Sequence, residues 1–220
     1  MLCAPATGGR TAKLFRGNDM KTQMRFQKIL TLVSLIISAL CIVYALLFCT
    51  PISAMSKLTH ASAAYAFKGS PINADDLYDL CQTVNVVLLA MGIVFLLWVA
   101  FMYITASNKR RNYYVTNYVA VIGTAAFAAI TAIMIIALTA ACHAGFVNDV
   151  DWEAYRQIIE TQVVQILEYR DDTTMWTIGY IIAAIVIADA LALVYNLLWK
   201  IKLMKGEKAL LAGNTVREAA

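Results

Sequence analysis

Four long apolar runs, at residues 29–49, 81–106, 113–142 and 174–199, constrain this chain more than any other feature. Each is long enough to cross ~30 Å of hydrocarbon at a helical rise of ~1.5 Å per residue. In lipid such runs satisfy their backbone N–H and C=O groups internally, as helices. The sequence therefore reads as an all-α integral membrane protein with four transmembrane helices. Composition agrees: 61% of residues are hydrophobic and 15% are charged, far from the averages of soluble domains. The organisation follows as a basic segment 1–28, a transmembrane domain 29–199 with outer loops 50–80 and 143–173, and a basic tail 200–220. Neither loop is large enough to be a separate catalytic domain.

Charge sorting sets the orientation. Of the 18 basic residues, 14 lie in the N-terminal segment, in the short link between spans two and three, or in the tail. The two outer loops carry ten of the 14 acids and only Lys57, Lys68, Arg156 and Arg170. By the positive-inside rule both termini are cytoplasmic and both long loops face outward, in the cell membrane. The net charge of +4 is then a topological signal and an attraction to anionic headgroups on the cytoplasmic side, not a nucleic-acid footprint. The first apolar run exceeds the ~7–15 residues of a signal-peptide core, so it is expected to remain as an anchor. Asn18 or Asp19 is expected to cap a helix running from Met20 into it.

Aromatic residues mark the span ends. Trp98 and Tyr103 near the inner end of span two, Tyr113, Tyr114 and Tyr118 at the start of span three, and Trp176 and Trp199 at the two ends of span four read as headgroup-level anchors. In the first outer loop, Asn73 ahead of Asp75 and Asp76 reads as a helix start, and Asp171-Asp172 does the same before span four. The second outer loop carries a further helical pattern from Asp149 or Asp151 to Tyr169. Trp152, Tyr155, Ile159, Val163 and Ile166 recur at steps of three and four, giving an amphipathic helix whose apolar stripe lies on a surface or docks a partner.

Within the membrane, Ala120, Thr124, Ala128 and Ala132 in span three and Ala184, Ala188 and Ala192 in span four form small-residue stripes. Such stripes let helix backbones approach, so spans three and four are expected to pack along them. Asp189 is the costliest residue to place, at ~2.5–3.5 kcal/mol for a central Asp on insertion scales. With no cation inside any assigned span, it reads either as a protonated acid hydrogen-bonded across helices to Ser38 or Thr131, or as a proton or cation site with Asn196 two turns inward on the same face.

Other chemistry is not encoded in recognisable form. Cys49, Cys81 and Cys142 all fall near the outer interface, where Cys81 with Cys142 is the preferred disulfide if the compartment is oxidising. There is no Cys-x-x-Cys pair, no zinc-ligand spacing, no Gly-rich phosphate loop and no nucleophile elbow, so no metal, cofactor or enzymatic activity is expected. The remaining function classes are an accessory or assembly subunit acting on another membrane protein or by self-association, and a small transporter or channel subunit built around Asp189.

Overall fold

A computed structural model describes residues 8–48, 74–107, 109–152 and 170–218. It is all-helical among these residues: α1 (Gly8–Leu47), α2 (Ala74–Thr105), the single turn α3 (Lys109–Asn112), α4 (Val115–Ala144), a π-helical turn at Gly145–Asp149, and α5 (Thr174–Glu218). Four helices are long and apolar enough to span a membrane, over Asn18–Leu47, Asp79–Thr105, Val115–Asp149 and Thr174–Ala209. Exposed Ile29, Leu32, Ile36, Val86, Leu97, Ile133, Ile181, Leu191 and Leu198 spread over all four. That apolar exterior is what lipid, rather than water, would cover.

Successive spans are neighbours, and α5 closes the ring onto α1. The result is a four-helix bundle with α1 diagonal to α4, its most extensive interface lying between α4 and α5. The helices outrun the apolar runs at several ends. Asn18 and Asp19 do not cap α1, which begins ten residues earlier, at Gly8. Instead the Asn18 carbonyl accepts a 2.9 Å bond from the Thr22 hydroxyl one turn on. At α5 the expected acidic start does form: Thr174 N–H donates to Asp172 Oδ1 at 2.8 Å. Hydrogen bonds from the Thr174 hydroxyl and backbone hold the Asp172 carboxyl below its usual range, as expected of an anion capping free helical N–H groups. Asn73 lies just outside the described residues.

The small residues of α4 turn inward, Thr124 donating to the Trp98 carbonyl of α2, whereas α5 turns inward a different face from its alanine stripe. Ala120, Thr124, Ala128 and Ala132 are all buried. On α5 the buried face is Ala183, Val186, Ala190 and Leu193, whereas Ala184 and Ala188 are exposed and Ala192 is half-buried. The physical reason is rotational: burying Asp189, Asn196 and Lys200 together fixes which side of α5 turns inward, about 100° from the alanine stripe.

At the end of the bundle opposite the termini, Tyr44, Phe48, Phe146, Trp152 and Trp176 form one aromatic cluster. Trp176 is therefore a core residue at 1% exposure, not a headgroup anchor. It stacks on His143 with centroids 5.2 Å apart and packs on Phe48 and Phe146. Trp152 is likewise turned inward, its indole N–H donating to the Phe146 carbonyl at 2.9 Å. Tyr155, Ile159, Val163 and Ile166, the rest of the expected docking stripe, lie outside the described residues, as does the helix expected to carry them.

Candidate functional site

The site builds up from α1, whose inward face carries Gln23, Gln27, Thr31, Ser34 and Ser38, all buried. Their spacing of four, four, three and four residues is one helical face, so this span directs polar side chains into the bundle over roughly four turns. On α5 the counterparts are Asp189, Asn196 and Lys200, separated by seven and four residues and also buried. From α4 come Asn117, Thr124, Thr131 and Thr139. A polar column thus runs along the axis of an otherwise apolar bundle.

At the end of the bundle that carries the termini the column is an amide network in which, among the described residues, Asn112 Oδ1 and Asn196 Nδ2 are left without a partner. Gln23 Nε2 donates to Gln27 Oε1 at 3.2 Å and to Asn196 Oδ1 at 2.8 Å. Its Oε1 accepts from Asn112 Nδ2 at 3.1 Å and from the Tyr113 hydroxyl at 2.9 Å. Gln27 Nε2 donates to Asn117 Oδ1 at 2.9 Å, and Asn117 Nδ2 donates to the Thr105 hydroxyl at 2.9 Å. Lys200 Nζ donates to the same Asn117 oxygen. The ammonium also lies 4.6 Å from the ring centroid of Tyr118 and 5.5 Å from that of Tyr113. Two aromatic faces and one amide oxygen therefore surround a fully buried lysine, an arrangement in which ring quadrupoles offset part of the cost of desolvating the cation. All four spans and the α2–α4 connector contribute to this network.

Asp189 sits above it, eleven residues or ~16 Å along α5 from Lys200. It is 4% exposed, and its Oδ1 accepts a 2.8 Å bond from the Ser34 hydroxyl. The partner is thus Ser34, and neither of the two expected ones: Ser38 donates to the Leu35 carbonyl in its own helix, and Thr131 Oγ1 has no hydrogen-bond partner. Asp189 Oδ2 and Asn196 Nδ2 are buried and unpartnered as well. Further out, the Tyr44 and Thr139 hydroxyls share a 2.9 Å bond across the bundle diagonal. Gly179 makes room for it, since a Cβ there would overlap the Tyr44 hydroxyl.

At the end opposite the termini Cys81 Sγ and Cys142 Sγ are 3.9 Å apart, both buried. Cys49 lies outside the described residues. Among the described residues no cluster of His, Cys, Asp or Glu could hold a metal ion. Among the described residues, the cavities near the end of the bundle that carries the termini include three. The first, about 810 Å³, is lined by Phe101, Ile104, Thr105, Arg110, Arg111, Tyr114 and Thr116. The others, about 340 Å³ and 770 Å³, are lined by residues such as Glu207 and Met204, and Trp199 and Lys202. None of the three is lined by Asp189.

Gln23, Gln27, Ser34, Asn117 and Lys200 are site residues that hydropathy alone does not mark. The apolar runs start at 29 and end at 199, which leaves both glutamines and Lys200 outside them. The signal that finds them is polar periodicity continuing a span's inward face past its hydropathy boundary. Comparison with known protein families, with characterised proteins and with solved structures gives no match.

Proposed function

We propose that the chain is a non-enzymatic accessory or assembly subunit of the cell membrane, acting through protein–protein contacts with both termini in the cytoplasm. The observation that carries this reading is the closure of the polar column. From Lys200 through Asp189 to Tyr44, the column's side chains from α1, α4 and α5 are at most 4% exposed and Thr105 of α2 is 8% exposed, and most bond to one another. Polar groups used in this way hold helices together in lipid. A bundle whose interior is occupied by its own cross-links interacts through its outside. Charge sorting supports the orientation, with 14 of the 18 basic residues on the side assigned to the cytoplasm.

The test is gentle-detergent purification of the full-length protein from its native membrane, with intact-complex mass analysis. The expected result is a distinct partner chain at fixed stoichiometry that persists after crosslinking in the membrane. A homo-oligomer alone would shift the weight to the second reading.

That second reading is a small transporter or channel subunit with Asp189 as proton or cation site. It is supported by four buried atoms without a hydrogen-bond partner among the described residues, Asp189 Oδ2, Thr131 Oγ1, Asn196 Nδ2 and Asn112 Oδ1, since such groups in a native interior call for a water or ion. Asp189→Asn separates the two. An asparagine oxygen still accepts from Ser34, so the accessory reading expects an unchanged complex and a stability loss below about 1 kcal/mol. Intact folding with loss of proton- or cation-coupled flux in vesicles would establish transport.

A further inference from the structure

The cavity of about 810 Å³ beside the α2–α4 connector combines two chemistries that meet in one kind of ligand. Its wall is apolar, from Phe101 and Ile104 at the end of α2 and Tyr114 at the start of α4, all more than one-third exposed. Its lining also includes the adjacent, exposed Arg110 and Arg111 of the α2–α4 connector and exposed Thr116, while Thr105, at its base, is buried with its hydroxyl engaged by Asn117. At about 810 Å³ it lies within the range of small-molecule sites. It also lies where the apolar surface of span two gives way to charge, which is headgroup depth for a lipid in the inner leaflet.

We propose that this cleft is a binding site for one anionic phospholipid, whose phosphate is held by Arg110 and Arg111 and whose acyl chain lies along Ile104 and Phe101. Guanidinium groups match phosphate oxygens through paired N–H donors, an arrangement a lysine ammonium does not reproduce. The apolar wall selects a lipid over free phosphate, since ionic contacts alone leave Phe101 and Ile104 unmatched. Charge complementarity selects an anionic lipid over a zwitterionic one, whose choline or ethanolamine group would bring a cation next to both arginines. The site differs from general attraction to the basic face because it is saturable and tied to one connector. It does not depend on the accessory-subunit reading.

The test is native mass spectrometry of full-length protein incubated with an equimolar mixture of phosphatidylglycerol and phosphatidylcholine. The expected result is one phosphatidylglycerol retained per protomer in preference to phosphatidylcholine. Arg110→Gln/Arg111→Gln should lower that retention at least tenfold, while Lys205→Gln/Lys208→Gln, which removes equal charge elsewhere on the exposed inner face, should leave it unchanged. Ile104→Trp keeps every charge, fills the groove and should also abolish retention; it decides the matter alone if the double arginine variant does not fold. Equal losses in the arginine and lysine variants would reduce the effect to diffuse attraction and overturn the site. So would retention unaffected by Ile104→Trp, or full displacement of the lipid by millimolar inorganic phosphate.

Discussion

Gln23 uses both amide protons and both carbonyl lone pairs, bonding Gln27, Asn196, Asn112 and Tyr113. Replacing it by leucine leaves Gln27 Oε1, Asn196 Oδ1 and Asn112 Nδ2 without their partner inside the bundle, while the Tyr113 hydroxyl keeps the Met20 carbonyl at 3.4 Å. At about 0.6 kcal/mol per interhelical bond in a membrane protein, Gln23→Leu should cost about 2 kcal/mol. Lipid-facing Ile29→Leu, at the next helical turn, should cost almost nothing. Thermal melts of both variants in detergent check this, and equal melting temperatures would mean the network does not bind the helices. Lys200 illustrates why such residues escape a hydropathy reading. It follows Trp199 and precedes Lys202 and Lys205, so by charge it belongs to a cytoplasmic tail. Only its place eleven residues after Asp189 and four after Asn196 reveals that it shares their face. Asp189 itself was legible, because a lone acid in an apolar run is conspicuous. Its partner was not, since Ser34 and Ser38 are one turn apart on the same face of α1 and spacing does not distinguish them.

Helix identity follows from composition, but helix rotation depends on which polar residues turn inward. The α5 alanine stripe at 184, 188 and 192 has the right period and the wrong azimuth, because a small-residue pattern carries no information about where Asp189 must go. Close approach is set instead at single glycines. A Cβ at Gly179 would overlap the Tyr44 hydroxyl and crowd Thr139. Gly179→Ala should therefore cost about 1–3 kcal/mol through overpacking. Combining it with Tyr44→Phe, which removes the clashing oxygen, should recover part of that loss, and a double-mutant cycle in detergent reads the coupling. Additive losses would show that the α1–α5 contact is not made there. The outer ends of α2 and α4 offer a second check, since the Cys81 and Cys142 thiols are 3.9 Å apart. Treatment with diamide should join them, each thiol losing one hydrogen as the azo reagent is reduced to its hydrazine. Peptide mapping after alkylation should then find the two cysteines linked, and persistent alkylation of both would place α2 and α4 further apart.

At the scale of the whole molecule, the four spans among the described residues put both termini on one side, and we propose from the distribution of basic residues that this side is the cytoplasm. The argument is energetic as well as statistical. Moving the N-terminal segment, connector and tail outward would translocate 14 of the 18 basic residues and leave ten of the 14 acids beside anionic headgroups. The fold offers reporters for both faces, since Asp171 and Lys205 are exposed just beyond opposite ends of the apolar part of α5. Cys41, Cys81 and Cys142 are buried, so a background lacking only Cys3 and Cys49 should be silent towards a membrane-impermeant maleimide. In intact cells stripped of their wall, Asp171→Cys should label and Lys205→Cys should label only after permeabilisation. The reverse pattern would place Arg110 and Arg111 outside. The phospholipid cleft would then face the outer leaflet, with its chemistry intact but its source of anionic lipid changed.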